Sequence, residues 1–205
     1  MSALAALALL LALASPAAAH HVGTYTPRDN EITTNFKQIK FSLQAKKFDV
    51  ALRLFEEGAL RAAMREKAGT LPAGLESGTR AALQSNDALE VERRLMIFFA
   101  ALARELALEA DQQLADGKLS REARAATGRR FLEAMWRYYN LVDFAVSSRD
   151  NKSSTALRLA FDEAEGYVKT TSASEADKLR EPLRRIAQLL STLIDTPSAL
   201  PRRDS

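Results

Sequence analysis

From residue 31 onward, apolar side chains recur every three to four positions, the spacing of helices that turn one face inward. The pattern is strongest from Asn86 to Gly117, NDALEVERRLMIFFAALARELALEADQQLADG, which holds neither Gly nor Pro before its last residue. Asn86 or Asp87 can cap its start, and Gly117 stands where a left-handed residue closes a helix. With a rise of about 1.5 Å per residue, this element is roughly 45 Å long. Leu95, Phe99, Leu102, Leu106 and Ala110 share one face, with Phe98 and Ala103 on its flanks. Glu92 and Glu109 fall at the edges of that stripe, where a buried carboxylate would need a partner. A helix of this kind must be covered by neighbours.

The same reading supplies the neighbours. A first helix is predicted near Asp29 to Glu31 and runs through EITTNFKQIKFSLQAKK, with Ile32, Phe36, Ile39 and Leu43 in step. A short turn at Lys46 and Lys47 leads into a second helix, FDVALRLFEEGALRAAMREKAG, so the two should be antiparallel. The spacing of Phe48, Ala51, Phe55 and Gly58 resembles the packing positions of a tetratricopeptide repeat. No second copy follows at the 34-residue period, and a plain helical hairpin is the simpler reading.

The segment GTLPAGLESG, with three Gly and a Pro, predicts a loop over 69–78, followed by a short helix from Thr79 to Gln84. Beyond the long helix, residues Ser120 to Asn151 form the element richest in aromatics, with Ser120 as N-cap. Phe131, Met135, Tyr138, Tyr139, Val142 and Val146 line one arc, and Trp136 lies outside it. Two further helices are predicted at Ser154 to Lys169 and Glu175 to Asp195, where Pro182 either kinks the last helix or marks its first turn. The expected fold is all-α, an up-and-down bundle of five to seven helices in one domain over 31–195, with a disordered tail at 196–205.

Composition narrows the class of function. The formal net charge of +3 is modest and both signs are mixed along the helices. The pairs Arg93-Arg94, Arg129-Arg130 and Arg184-Arg185 therefore read as solvated faces, and no nucleic-acid partner is expected. With no Cys there are no disulfides, thiolate metal ligands or Cys nucleophiles. Residues 1–19 are expected to be a signal peptide. Ala3 to Ala14 is an unbroken apolar run too short to span a bilayer, and Ala17, Ala18 and Ala19 supply the small residues read at cleavage. The chain would then be periplasmic or secreted, beginning at His20 with a polar arm over 20–30 and retaining no transmembrane segment.

Both histidines of the chain, His20 and His21, fall at that new terminus. The α-amino group and two imidazoles within two residues suit a copper or other transition-metal ion, and Asp29 and Glu31 could add oxygen ligands if the arm folds back. A terminal His that chelates through amine and ring resembles the copper brace of oxidative polysaccharide enzymes. That arrangement needs a third, distant His, and the chain has two. No Glu-x-x-His pair supports a di-iron centre.

The favoured reading is a non-catalytic binding or accessory protein with a protein partner in the periplasm or at the membrane. The alternatives are an enzyme with a carboxylate and tyrosine site between helices, drawn from Glu92, Glu109, Asp143 and Tyr139, or a docking module. Pairing of these carboxylates with Arg104, Arg129 or Arg137 would make them structural.

Overall fold

A computed structural model describes residues 28–116, 118–169 and 178–196, and the described residues are helical, with no strand. Eight helices follow in order: α1 Glu31–Gln44, α2 Phe48–Glu57, α3 Ala59–Glu66, α4 Leu75–Gln84, α5 Ala88–Leu114, α6 Arg121–Arg149, α7 Asn151–Lys169 and α8 Arg180–Asp195. The expected signal peptide, most of the polar arm, Gly117 and nearly all of the expected tail lie outside the described residues.

Side chains placed by the local sequence set the starts of the helices. Asn30 accepts a hydrogen bond from the Thr33 amide at 2.9 Å while Thr33 Oγ1 accepts one from the Asn30 amide at 2.9 Å, a reciprocal cap at the head of α1. Asp87 caps α5 through the Glu90 amide, Ser120 caps α6 through the Ala123 amide, and Asp150 accepts from the Ser153 amide at the start of α7. Pro182 sits in the first turn of α8, where its missing N–H costs nothing.

Helices α5 to α8 close a ring in which α5 packs on α6 and α8, and α7 packs on α6 and α8. The shorter helices assemble beside this ring: α1 lies on α2 and α3, and α4 on α2, α3 and α5. Helix α5 is therefore touched from several directions, and residues 95 to 103 are buried without interruption. This is broader than the single expected stripe, because a helix at the centre of an assembly buries its whole circumference. The stripe also ends differently. Leu106 is only partly buried, whereas Ala107 and Ala110 are fully covered.

The helix count exceeds the expectation because the expected second helix is broken at Gly58. Asn35, buried in α1, places its amide across the break, its Nδ2 donating to the Leu54 carbonyl at 2.9 Å and its Oδ1 accepting from the Leu60 amide at 3.0 Å. A single side chain thus ends α2 and starts α3. A Cβ at residue 58 would collide with Asn35 Oδ1 and the Leu54 carbonyl, so glycine is required there by close approach. Helix α4 likewise starts at Leu75, earlier than expected, because Gly74 takes a left-handed conformation (φ 71°) and ends the loop there.

Two turns in the chain are built alike. Lys46 (φ 57°) and Asn86 (φ 59°) both adopt the left-handed conformation, and the residues after them, Lys47 and Asp87, donate back to Ser42 and Ala82 at 2.8 and 2.9 Å. Each turn follows a Leu-Gln pair and joins two helices, so the hairpin α1–α2 recurs as α4–α5. The two left-handed residues are 40 positions apart in the numbering, not 34, and α3 with its loop occupies the interval.

Candidate functional site

The arm joins the helices at Arg28 and Asp29, on the rim of an open groove of about 580 Å³ lined by Asp29, Asn30, Glu31, Thr34, Asn35, Gln38, Gly58 and Ala59. The break between α2 and α3 borders it, through Gly58 and Ala59. Most of the residues that line it have polar side chains: carboxylates, carboxamides and a threonine hydroxyl.

The two candidate ligands described here are in different states. Asp29 Oδ1 and Oδ2 accept from Lys37 Nζ at 2.8 and 2.7 Å, and Oδ1 also accepts from Thr33 Oγ1 at 3.1 Å. The hydrogen bond from Lys37 holds the Asp29 carboxyl below the usual carboxylate range. Recruiting Asp29 to a metal would mean breaking that pair. Glu31 is exposed in the first turn of α1 and is one of the residues that line the groove. His20 and His21 lie outside the described residues. Among the described residues, no three His, Asp or Glu side chains gather as a cation cage.

A polar seam runs from this groove to the central helix. Asn30 Nδ2 donates to the Tyr138 hydroxyl at 3.0 Å, tying the head of α1 to the middle of α6. Nearby, Lys67 Nζ donates to Glu105 Oε2 at 2.8 Å, and this hydrogen bond raises the lysine above its ordinary value against the opposing effect of burial. Thr70 Oγ1 donates to the other Glu105 oxygen. Burial pushes the Glu105 carboxyl up, but the hydrogen bonds from Lys67 and Thr70 outweigh it and leave the group below its ordinary value. Glu105 is the buried-edge carboxylate of the central helix. Glu92 and Glu109, expected in that role, are both exposed, because the covered arc of α5 turns away from them.

The second polar cluster lies between α6 and α7. Asp143 accepts from Arg158 through Nε at 3.2 Å and through Nη2, and from Ser154 Oγ at 3.2 Å. The Tyr139 hydroxyl sits beside Ser154 and Asp143 but is buried without a hydrogen bond of good geometry to either. Burial first, and the Asp143 charge second, push its pKa well above the ordinary phenol value. Trp136 meets Tyr139 and Phe161, with ring centroids 6.0 and 5.3 Å away, and is buried despite lying outside the expected arc. Helix α6 therefore has two apolar faces, Tyr138 towards Phe99 of α5 and Trp136 with Tyr139 towards α7.

Glu92, Glu109, Asp143 and Tyr139 do not converge on one cavity. Asp143 is indeed paired with an arginine, but with Arg158 of the next helix rather than Arg104, Arg129 or Arg137. Arg93 and Arg94 both bind Glu90, and Arg184 and Arg185 bind Asp111 and Glu163, so these basic pairs sit on carboxylates. Sequence reading missed Asn35, although a polar residue beside Phe36 on the inward face of α1 was a usable signal. The Lys67–Glu105 contact spans 38 positions and leaves no pattern in the sequence.

Three of these carboxylates set an acid limit. Hydrogen bonds from Arg93 hold Glu90 low; at Glu105 and Asp111 burial acts upward, but their cationic partners prevail. Each group then binds a proton less readily folded than unfolded, so its contribution is complete above the unfolded pKa and lost as pH falls through the folded one. The melting temperature should be flat from about pH 7 to 5 and fall below about pH 4.5, as read by circular dichroism. A melting temperature that rises on acidification across this range would show that these pairs do not form.

Comparison of the chain with protein-family models, curated proteins and solved structures finds no match.

Proposed function

We propose that this chain is an exported protein with a non-catalytic binding role, in which an up-and-down helical bundle carries a transition-metal chelate at its processed N-terminus. The metal ion would be held by the α-amino group and imidazole of His20 and by the imidazole of His21. Cu(II) is the first choice, since nitrogen donors favour it most strongly among the divalent first-row ions. Glu31 is the oxygen donor best placed to join them, and Asp29 would have to leave Lys37 to do so.

One observation carries the reading: the only two histidines of the chain stand together directly after the small-residue triplet Ala17-Ala18-Ala19. The length of the arm is compatible with it. Eight positions separate His21 from Asp29, an extended reach of about 26 Å, so the terminus can return to the groove at whose rim the arm begins. The described carboxylates are held by lysine and arginine at Asp29, Glu105 and Asp143, which favours binding over acid–base chemistry at those positions. N-terminal sequencing of the exported protein is the first test, with His20 expected as residue one. Any other terminus would remove the α-amino group of His20 from the chelate and with it the proposal.

A further inference from the structure

We propose that the outer face of α1 and the turn after it dock on an anionic lipid bilayer. Phe41 stands 73% exposed on that face, while the opposite side of the helix is fixed to the core through Phe36, Ile39 and Leu43. Around it are Lys40, whose ammonium lies 5.9 Å from the Phe36 ring, and Lys46 and Lys47 in the turn. Lys37, one turn earlier, is neutralised by Asp29.

The charge is concentrated here. Between residues 40 and 53 the cations are Lys40, Lys46, Lys47 and Arg53, against Asp49 alone, a surplus of three that equals the formal net charge of the whole chain, +3. Lys46 and Lys47 are both exposed at the turn.

A bilayer fits this face better than an acidic protein does. Three of the four cations are lysines, flexible point charges that suit a diffuse headgroup layer, whereas recognition of a particular carboxylate favours the arginine fork. The apolar residue projects from the exposed side of α1, a shape that a yielding bilayer surface can accept. A phenyl ring entering the headgroup boundary between lysines that remain in it is the arrangement of an interfacial helix. No described helix is long and apolar enough to cross a membrane, so the contact would be peripheral, reversible and dependent on salt.

The test is co-sedimentation with phosphatidylcholine vesicles prepared with and without phosphatidylglycerol. It should be run on the full chain and on a chain starting at His20, so that the apolar run at 3–14 cannot account for the result. Both should bind vesicles that contain phosphatidylglycerol and be released by salt. The double variant Lys46→Gln, Lys47→Gln should lose about tenfold or more in partitioning, at roughly fivefold per lysine. Phe41→Ser should weaken binding several-fold. Each is an exposed position, and an unchanged circular dichroism spectrum shows that the fold is kept. Failure of the His20 chain to sediment, equal binding to pure phosphatidylcholine, or variants that bind like the parent would overturn the proposal, and would leave the patch to an acidic protein surface. None of these readings depends on metal binding by the N-terminus.

Discussion

Phe99→Ala is expected to lower the unfolding free energy by about 3–5 kcal/mol. The ring is fully buried in the middle of α5, where it meets aromatic rings of two other helices. Its centroid lies 4.8 Å from that of Phe36 in α1, 5.2 Å from Phe98 and 6.0 Å from Tyr138 in α6. Removing it opens a cavity where the short helices meet the four-helix ring, and rigid helices on several sides limit how far the site can collapse. Chemical denaturation followed by circular dichroism gives the number. A loss below about 1 kcal/mol would mean that α5 is not the helix on which α1 and α6 both pack.

The second large effect is expected at Gly58. Replacing it with Ala should cost about 2–3 kcal/mol, although Ala is normally the better residue near a helix. The added Cβ would meet the Asn35 carboxamide and the Leu54 carbonyl, displacing the side chain that serves two main-chain groups at once. The Leu60 amide and the Leu54 carbonyl would then be left without their partner in a buried place, which carries a penalty of its own. Gly69 is the comparison, since a Cβ there meets nothing within 4 Å, and Gly69→Ala should be close to neutral. Equal stability of the Gly58→Ala protein and its parent would show that α2 and α3 can run on as one helix.

That break also shows where the sequence stops being legible. The periodicity of Ile32, Phe36, Ile39 and Leu43, and of the long central run, is a property of neighbours along the chain, and it placed α1 and α5 correctly. The caps at Asn30, Asp87 and Ser120 are local too, although Asn30 was assigned to the arm. What could not be read depends on residues far apart in sequence. FEEGALRAAM keeps helical spacing straight through Gly58, and only the arrival of Asn35 from another helix makes two helices of it. The expectations for Trp136, Glu92 and Glu109 failed for a related reason. A one-face wheel cannot describe α5 or α6, each of which is covered from more than one side.

The candidate site was legible only in its parts. Asp29 and Glu31 do lie together on a groove at the foot of the arm, but the claim of Lys37 on Asp29 is a contact across two turns of α1 that depends on how the chain enters the helix. The recurrence of the turns at Lys46 and Asn86 was hidden by the interval, since the search period assumed no inserted helix.

The metal reading rests on the free α-amino group of His20, and calorimetric titration of Cu(II) isolates that group. A chain beginning at His20 should bind one Cu(II) tightly, with weaker binding of Ni(II), Zn(II) and Fe(II) in the order that nitrogen donors impose. The same chain extended by an N-terminal tag should bind Cu(II) much more weakly, because the primary amine is then displaced from the imidazole. His20→Ala should abolish tight binding, and His21→Ala and Glu31→Gln should reduce it. Equally weak Cu(II) binding by the free-terminus, tagged, His20→Ala and His21→Ala proteins would contradict the account.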